Sequence, residues 1–182
     1  MKLGAFYNLI VIKKFIKVRT YEQKEDLMSS YANLFDRNLV FWNIHADSCT
    51  DLYQKIAHKL EDANVVETSY FKALTAREKE FPTGLNTQYL PIALPHANPE
   101  NVKKAFIAVV KTTSQINMKQ MGTNEDMESQ YFFFLGIVKE KQDLQVKLLQ
   151  RFMQLMNDES FVKSFKKLSK PEEVYEFLVN RF

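Results

Sequence analysis

The spacing of apolar residues changes along the chain, and each spacing predicts a different element. Residues 39–44 are apolar at every position but one, which is typical of a buried strand. From position 52 to position 60 every fourth residue is apolar, and this repeat predicts an amphipathic helix. Ser48 or Thr50 can cap the first turn of that helix with a side-chain oxygen.

A second helix is predicted over residues 68–79, with apolar residues in its first part and charged residues at its end. Pro82-Thr83-Gly84 stops this helix, and Gly84 supplies the backbone freedom that a tight turn needs. Residues 90–94 then predict a short strand. Because Pro91 cannot donate to a β-ladder, that strand starts at a sheet edge or directly after the proline.

Two near-continuous apolar runs follow, at residues 106–110 and 131–138, and such runs suit central strands covered on both faces. The polar segment 111–130 between them predicts a loop or irregular connection that borders the functional site. Before the first run, residues 98–104 predict a helical turn with Asn98 as its cap.

Three amphipathic helices are predicted after the last strand. Apolar residues repeat at helical spacing between positions 144 and 155, between 161 and 168, and between 174 and 178. Asp158 opens the second of these helices and Pro171 starts the third. Strands and helices alternate along the chain, and several helices follow the last strand. This order predicts an α/β domain.

We place this domain at residues 33–182 and assign residues 1–32 to an N-terminal extension. Within the extension, apolar residues are mixed with lysines and arginines, and neither a clean apolar region nor a small-residue cleavage site indicates a signal peptide. An extra strand or helix, packed on the domain or on a second subunit, is favoured over a basic amphipathic segment at a membrane surface.

The composition indicates a globular protein and argues against nucleic-acid binding, membrane insertion and cysteine-based sites. With 46% hydrophobic and 26% charged residues among 182 positions, the chain has the balance of one globular domain. A formal net charge of +3 is too small to indicate a nucleic-acid partner. Apolar runs stay short of the roughly 18 residues that cross a bilayer, so we expect a cytoplasmic protein without direct membrane insertion. The single cysteine, Cys49, excludes an internal disulfide and a thiolate metal cluster.

A histidine in a constrained position is the strongest candidate for chemistry. Pro95 fixes its own φ, so His96 emerges from a stiff strand end. Arg77 lies at the end of the second predicted helix, and the fork of an arginine side chain binds phosphate well. The other two histidines are weaker candidates. His58 faces solvent on the polar side of the first predicted helix, and His45, although it could be near the site, is better explained by a capping or packing role.

Three motifs follow one another along the chain: Arg77-Glu78, Pro82-Thr83-Gly84 and Ile92-Ala93-Leu94-Pro95-His96. Their order and spacing resemble those of the enzyme IIA domains of the bacterial phosphoenolpyruvate-dependent sugar phosphotransferase system. Within the fructose–mannitol superfamily, the chain is similar to the galactitol-type members with a Pro-Thr-Gly turn. The resemblance extends from about Leu34 to the C-terminus. It implies a mixed β-sheet flanked by helices, and it implies that His96 is the residue that is phosphorylated.

The residues around His96 have candidate roles in phosphoryl transfer. A neutral imidazole nitrogen attacks the phosphoryl group, and the protein must offset the negative charge on the phosphoryl oxygens. Arg77 is the candidate for that task, Thr83 can donate a hydrogen bond, and Glu78 either holds the Arg77 side chain or is solvated. The alternative for Arg77 is an exposed ion pair with Glu80. This chemistry requires no metal and no cofactor.

One position departs from the pattern of many fructose- and mannitol-type members. These carry a second histidine near the start of the helix after the last strand, and the matching position here is Asp143. An ionised carboxylate cannot donate to a phosphate, but it can accept from an imidazole N–H and fix the tautomer. Galactitol-type members often lack this histidine too, which agrees with the Pro-Thr-Gly turn.

The resemblance implies a phosphocarrier that accepts a phosphoryl group from the histidine phosphocarrier protein (HPr) on His96. It would pass the group to a cysteine of a galactitol-type enzyme IIB, in a permease that also contains enzyme IIC. A regulatory module that signals through its phosphorylation state is the alternative. A metal-dependent hydrolase fits the scattered histidines poorly. A fused IIB function is disfavoured because Cys49 does not lie in a glycine-rich loop.

Overall fold

A five-stranded mixed sheet forms the centre of the computed structural model, which describes residues 31–141 and 143–182. The strands are β1 (Phe35–Ile44), β2 (Gly84–Leu85), β3 (Ile92–Ala93), β4 (Phe106–Lys119) and β5 (Asp126–Gly136). Their order in the sheet is β1-β4-β5-β3-β2. β1 is parallel to β4 and β3 to β5, whereas the other two pairs are antiparallel. The predicted α/β class with a mixed sheet is confirmed.

The described part of the chain forms five α-helices. They are α1 (Cys49–Asp62), α2 (Tyr70–Glu80), α3 (Asp143–Met156), α4 (Glu159–Phe165) and α5 (Pro171–Arg181). All five were predicted, although α2 begins two residues later than expected. The helical turn predicted at 98–104 is shorter, a single 3₁₀ turn at Pro99–Asn101, and a second 3₁₀ turn spans Lys139–Lys141. None of the described helices is both long enough and apolar enough to cross a bilayer.

Side-chain caps explain where two of the helices begin. The Ser48 hydroxyl accepts a hydrogen bond from the Asp51 N–H at 3.1 Å, so Ser48 rather than Thr50 caps α1. The Asp158 carboxylate accepts from the Phe161 N–H at 3.0 Å and caps α4. Asn98 occupies the predicted cap position of its 3₁₀ turn, but its side chain makes no capping bond.

The sheet separates two apolar clusters. On one face, Phe133 packs with Phe152 of α3 and Phe165 of α4. On the other face, its neighbours Phe132 and Phe134 pack toward α1 and α2. Alternate side chains of β5 therefore pack in the two clusters on opposite faces of the sheet, as expected for a strand covered on both faces.

The first strand differs from its prediction. β1 lies at the edge of the sheet, where Phe41 and Trp42 are only half-buried and Asn43 is exposed with a φ of 59°. The apolar run therefore indicated a strand correctly, but the strand is buried only in part. An edge strand that carries aromatic residues has the same local sequence pattern as a central one.

The prediction of a loop at residues 111–130 is wrong. β4 continues to Lys119 and β5 starts at Asp126, so the connection between the paired strands is only six residues long. Buried Ile116 and Met118 alternate with exposed neighbours in this part of β4. An alternation with a period of two is typical of a strand with one solvent-exposed face. The prediction missed this alternation because most residues of the segment are polar.

Gly84 is a glycine for a different reason from the one predicted. It starts β2 and is not among the described residues with positive φ, so a tight turn does not require it. A Cβ atom at this position would collide with the Met127 sulfur and would lie 2.6 Å from the Lys119 carbonyl oxygen. The absence of a side chain lets β2 approach the β4–β5 hairpin closely.

Replacing Gly84 by alanine is expected to lower the free energy of unfolding by about 1–3 kcal/mol, because a backbone oxygen cannot move aside as a flexible side chain can. Urea denaturation of both proteins measures this change. Gly122→Ala is the comparison for backbone strain without a collision, since Gly122 has a φ of 82° that strains a side chain, while a Cβ there meets nothing within 4 Å. Equal stability of Gly84→Ala and wild type would show that the β4–β5 hairpin moves to accommodate the methyl group without a loss in the free energy of unfolding.

The predicted N-terminal extension lies outside the described residues, except for positions 31 and 32. Its secondary structure and the boundary between residues 1–32 and 33–182 therefore stay predictions.

Candidate functional site

The backbone on either side of His96 is fixed by hydrogen bonds to two other parts of the sheet. After β3, the Leu94 N–H donates to the Thr83 carbonyl at 3.1 Å, and the Pro95 carbonyl accepts from the Leu135 N–H at 2.9 Å. His96 itself forms a β-bridge with Leu135. The imidazole is 7% exposed, so it is presented from a rigid and largely buried position.

One hydrogen bond determines the tautomer of His96. Its Nδ1 atom lies 2.8 Å from the Leu94 carbonyl oxygen, which can only accept. Nδ1 therefore carries the proton, and the lone pair is on Nε2. Burial lowers the pKa of His96 and the nearby Arg77 charge lowers it further, although the bond to Leu94 acts in the opposite direction. The lowered pKa favours the neutral ring.

Two hydrogen-bond donors converge on His96 Nε2. The Arg77 Nη2 atom lies 3.2 Å from it and the Gln145 amide nitrogen 2.9 Å from it. Arg77 comes from the last turn of α2, and Gln145 comes from the first turn of α3. A single lone pair cannot accept two linear hydrogen bonds, so both donors are better placed for a larger acceptor bound at Nε2.

Arg77 is held above an aromatic ring and does not pair with Glu80. Its guanidinium carbon lies 4.6 Å from the centre of the Phe81 ring, a distance typical of a cation–π contact. Arg77 is half-buried. These two contacts, to the Phe81 ring and to His96, aim the guanidinium at the cavity that contains Nε2.

Glu78 and Thr83 are joined by two hydrogen bonds. The Thr83 N–H donates to one Glu78 oxygen at 3.0 Å, and the Thr83 hydroxyl donates to the other at 2.6 Å. Burial raises the pKa of Glu78, while the bonds from Thr83 oppose that shift. Glu78 therefore fixes the turn after α2 and is not simply solvated. The hydroxyl proton of Thr83, predicted as a donor to phosphate, points to Glu78 in this structure.

A cavity of about 580 Å³ opens over His96. Met121 and Gly122 line it, which confirms that the segment between the two central strands borders the site. An exposed aromatic side chain lies at its edge, since Phe81 lines the cavity and is 54% exposed. The polar floor around His96 is thus bordered on one side by an aromatic ring.

The remaining predicted residues lie elsewhere or cannot be placed. His58 is exposed on α1, as predicted, and His45 is exposed with its Nε2 atom 3.3 Å from Asp47. Asp143 is the first residue of α3, but its side chain lies outside the described residues, so its role stays a prediction. Within residues 31–141 and 143–182, no three or more His, Cys, Asp or Glu side chains gather as metal ligands do.

Gln145 is the site residue that sequence reasoning missed. A signal was present, because Gln145 lies three and four residues before Leu148 and Leu149 and so shares the apolar side of its helix. A polar residue on that side of a helix requires a partner, and His96 is the partner.

Comparison with known proteins gives the family. Residues 33–181 match the family model for the phosphoenolpyruvate-dependent sugar phosphotransferase system, EIIA 2. The galactitol-specific EIIA component of Escherichia coli K12 is 27% identical over 118 residues, which cover 65% of this chain and 75% of that protein. The fructose-specific EIIABC component of Mycoplasma pneumoniae is 26% identical over 114 residues, covering 62% of this chain and 15% of that protein.

Solved structures share the fold at lower identity. Enzyme IIA for mannitol from Escherichia coli, solved in a complex with phosphorylated enzyme IIB, has a TM-score of 0.64 and 20% identity over 81% of this chain and 100% of its own. The nitrogen regulatory protein IIA-Ntr of Neisseria meningitidis has a TM-score of 0.63 and 20% identity over 81% of this chain and 97% of its own. With the family model matched across almost the whole described region, the chain belongs to the EIIA type 2 family of the phosphoenolpyruvate-dependent sugar phosphotransferase system.

Proposed function

We propose that this chain is a phosphocarrier in which His96 Nε2 accepts a phosphoryl group from the histidine phosphocarrier protein. It passes the group to a cysteine of a galactitol-type enzyme IIB that serves an enzyme IIC permease. The observation that carries the proposal is the convergence of the Arg77 and Gln145 donors on a ring nitrogen that holds a lone pair. A nucleophile that is already unprotonated needs no general base.

The geometry supports transfer in line with the Nε2 lone pair. The new N–P bond forms while the bond between phosphorus and the donor's nitrogen breaks, and that electron pair returns to the donor ring. Charge spreads over the three equatorial oxygens, where the Arg77 guanidinium and the Gln145 amide can each donate. As positive charge develops on the imidazole, the Leu94 carbonyl stabilises it through Nδ1–H. Transfer to the IIB cysteine reverses these steps, with a thiolate as the acceptor.

An exposed aromatic ring at the cavity supports docking of a protein partner. Phe81 is 54% exposed and lines the same cavity as the largely buried His96. Apolar and aromatic side chains at the centre of an interface exclude water when a partner binds, and a phosphoryl group in transit must be protected from hydrolysis. Both partners of a relay protein must reach the same nitrogen, so we assign the opening of this cavity to the histidine phosphocarrier protein and to IIB in turn.

The galactitol class rests on two observations. Relatives at 27% identity are galactitol-specific EIIA components. In addition, the position that matches the second histidine of many fructose- and mannitol-type members is Asp143 here, and galactitol-type members often lack that histidine too. The regulatory alternative differs in one respect that can be measured, because it predicts no transfer to a IIB cysteine.

The direct test is incubation with labelled phosphoenolpyruvate, enzyme I and the histidine phosphocarrier protein, followed by mass mapping. We expect one phosphoryl group on His96, and phosphorus NMR should place it on Nε2. Addition of a galactitol-type IIB should then remove the label, whereas IIB with its cysteine replaced should not. Label on another residue overturns the assignment of His96, and label that stays on His96 favours a regulatory role.

Gln145→Leu is expected to slow phosphoryl acceptance about tenfold, since it removes one neutral donor while keeping the helical apolar packing. Single-turnover transfer from the phosphorylated donor measures the rate. Gln150→Leu, an exposed change on the same helix, is the matched control and should transfer at the wild-type rate. If both variants behave alike, Gln145 contributes nothing to the transition state.

The rate of acceptance should stay constant as the pH falls toward about 6.5, the ordinary pKa of histidine, and should fall only below it. The reason is that burial and Arg77 hold the pKa of His96 low, so Nε2 keeps its lone pair. The same shift stabilises the fold above the unfolded-state pKa, and this contribution is lost as the pH falls through the folded value. NMR titration of the labelled ring, native and in urea, gives both pKa values. A native pKa equal to or above that of the unfolded chain contradicts this prediction.

A further inference from the structure

The pairing of β2 with β3 changes where the chain approaches His96. The two strands are antiparallel, and the ladder continues to Thr83 and Leu94, where the Leu94 N–H donates to the Thr83 carbonyl at 3.1 Å. In a regular antiparallel ladder, two residues paired in this way exchange both hydrogen bonds, so the Thr83 N–H would donate to the Leu94 carbonyl. Here the Thr83 N–H donates instead to a Glu78 carboxylate oxygen at 3.0 Å.

This change of acceptor leaves the Leu94 carbonyl to the imidazole. The carbonyl oxygen lies 2.8 Å from His96 Nδ1, and this contact is the one that places the ring proton on Nδ1. A ladder bond to the same oxygen would compete with the imidazole N–H for its lone pairs. Glu78 therefore acts on His96 without touching it, through the backbone of Thr83 and Leu94.

The Glu78 carboxylate is itself held in one orientation. Its second oxygen accepts from the hydroxyl of Thr83 at 2.6 Å, and Thr83 is 1% exposed. Burial raises the pKa of Glu78, whereas the two donors of Thr83, the neighbouring Tyr53 hydroxyl and the Arg77 charge oppose that shift. Because one residue donates to both oxygens, the carboxylate cannot rotate without losing a short bond.

We propose that Glu78 is a positioning residue for the His96 ring. Its carboxylate takes the Thr83 N–H out of the ladder and so keeps the Leu94 carbonyl available to Nδ1–H, which holds the Nε2 lone pair toward the Arg77 donor. The effect of this role on phosphoryl transfer rests on the proposed function. The hydrogen bond at Nδ1 is a property of the unphosphorylated chain and can be measured without it.

The role also explains why three separate motifs occur together. Arg77-Glu78 supplies the carboxylate, and Pro82-Thr83-Gly84 supplies the N–H and the hydroxyl that bind it. The segment that ends at His96 supplies the carbonyl and the ring. Each motif contributes one step of the path from α2 to the imidazole.

Glu78→Met is the principal test, because methionine keeps the side-chain length and the helix propensity but removes both acceptor oxygens. The Nδ1 proton of His96 is observed by NMR in the unphosphorylated full chain with ¹⁵N-labelled histidine. We expect it to exchange with water about three- to tenfold faster than in wild type. Single-turnover transfer at saturating phosphorylated donor should slow by a similar factor, with the half-saturating donor concentration unchanged.

Glu78→Gln is the conservative variant, since its amide oxygen can still accept from the Thr83 N–H. It should recover most of the Nδ1 protection and most of the transfer rate, although it removes the same charge as methionine. Equal losses in both variants would assign the effect to the charge of Glu78 and overturn the proposal. Glu80→Met is the matched control, because Glu80 is exposed at the end of the same helix and both Thr83 donors go to Glu78. It should leave the Nδ1 proton unchanged.

A second pair of variants tests the same path from Thr83. Thr83→Val removes the hydroxyl that fixes the second carboxylate oxygen, whereas Thr83→Ser keeps a hydroxyl there. We expect faster Nδ1 exchange in the valine variant than in the serine variant. A hydroxyl that only donates to a phosphoryl group would leave this proton unchanged in the unphosphorylated chain. An unchanged Nδ1 proton in folded Glu78→Met, or in Thr83→Val if Glu78→Met does not fold, overturns the proposal.

The two readouts separate this proposal from the phosphocarrier role. Faster Nδ1 exchange in Glu78→Met, in a chain whose wild type accepts no phosphoryl group, contradicts the proposed function and leaves the positioning role in place. Normal acceptance on wild-type His96 with an unchanged Nδ1 proton in the variant contradicts the positioning role alone.

Discussion

His96→Ala is expected to abolish phosphoryl acceptance while the fold survives. The imidazole supplies the nucleophilic nitrogen, and no other described side chain offers an unprotonated nitrogen beside the Arg77 and Gln145 donors. Its contacts in the free protein are polar ones at the wall of a cavity, so we expect a loss of only about 1–2 kcal/mol in stability. Uptake of labelled phosphate measures the first effect, and urea denaturation measures the second.

His58→Ala is the matched control for this experiment. His58 is a histidine on the exposed face of α1, so its removal should leave both phosphate uptake and stability at wild-type values. His45→Ala should behave in the same way, since His45 is exposed and contacts Asp47. Wild-type uptake by folded His96→Ala would show that another residue is the acceptor.

Local sequence patterns were sufficient to predict the helices. α1 and α4 each have a side-chain cap and a repeated apolar face, and both features depend only on residues within the helix or next to it. The strands were harder to predict. β1 has the composition of a central strand but lies at the sheet edge, and the polar half of the β4–β5 hairpin has the composition of a loop. Position in a sheet depends on which strands pair, and pairing is not a local property.

A motif was sufficient to select two candidate residues that the fold brings together. His96 and Arg77 are nineteen positions apart in sequence, and their side chains lie 3.2 Å apart in the structure. Gln145 reaches the same nitrogen from forty-nine positions away. Its approach depends on how α3 packs against the sheet, which no spacing near His96 reveals. Gly84 shows the same limit, because its constraint comes from the Lys119 carbonyl of another strand.

Arg77→Lys is expected to reduce the rate of phosphoryl acceptance about 10²-fold, despite retention of the positive charge. The guanidinium lies over the Phe81 ring and directs one N–H toward His96 Nε2, and a lysine ammonium has neither the planar fork nor the same reach. Loss of one preorganised donor costs about 10²–10³ in rate, and the open cavity places this site at the lower end. Single-turnover transfer from the phosphorylated donor gives the rate.

Arg37→Lys is the control that matches the chemistry of this change. Arg37 also lies over an aromatic ring, 4.7 Å from the centre of Tyr175, and it forms an exposed 3.3 Å ion pair with Glu176. Exposed pairs of this kind contribute at most about 1 kcal/mol, so Arg37→Lys should transfer at the wild-type rate. If Arg77→Lys also transfers at that rate, the charge of residue 77 is sufficient and its hydrogen-bond geometry plays no part. A large loss in Arg77→Lys alone assigns the effect to a directed donor at the phosphoryl oxygens, because both variants keep their charge.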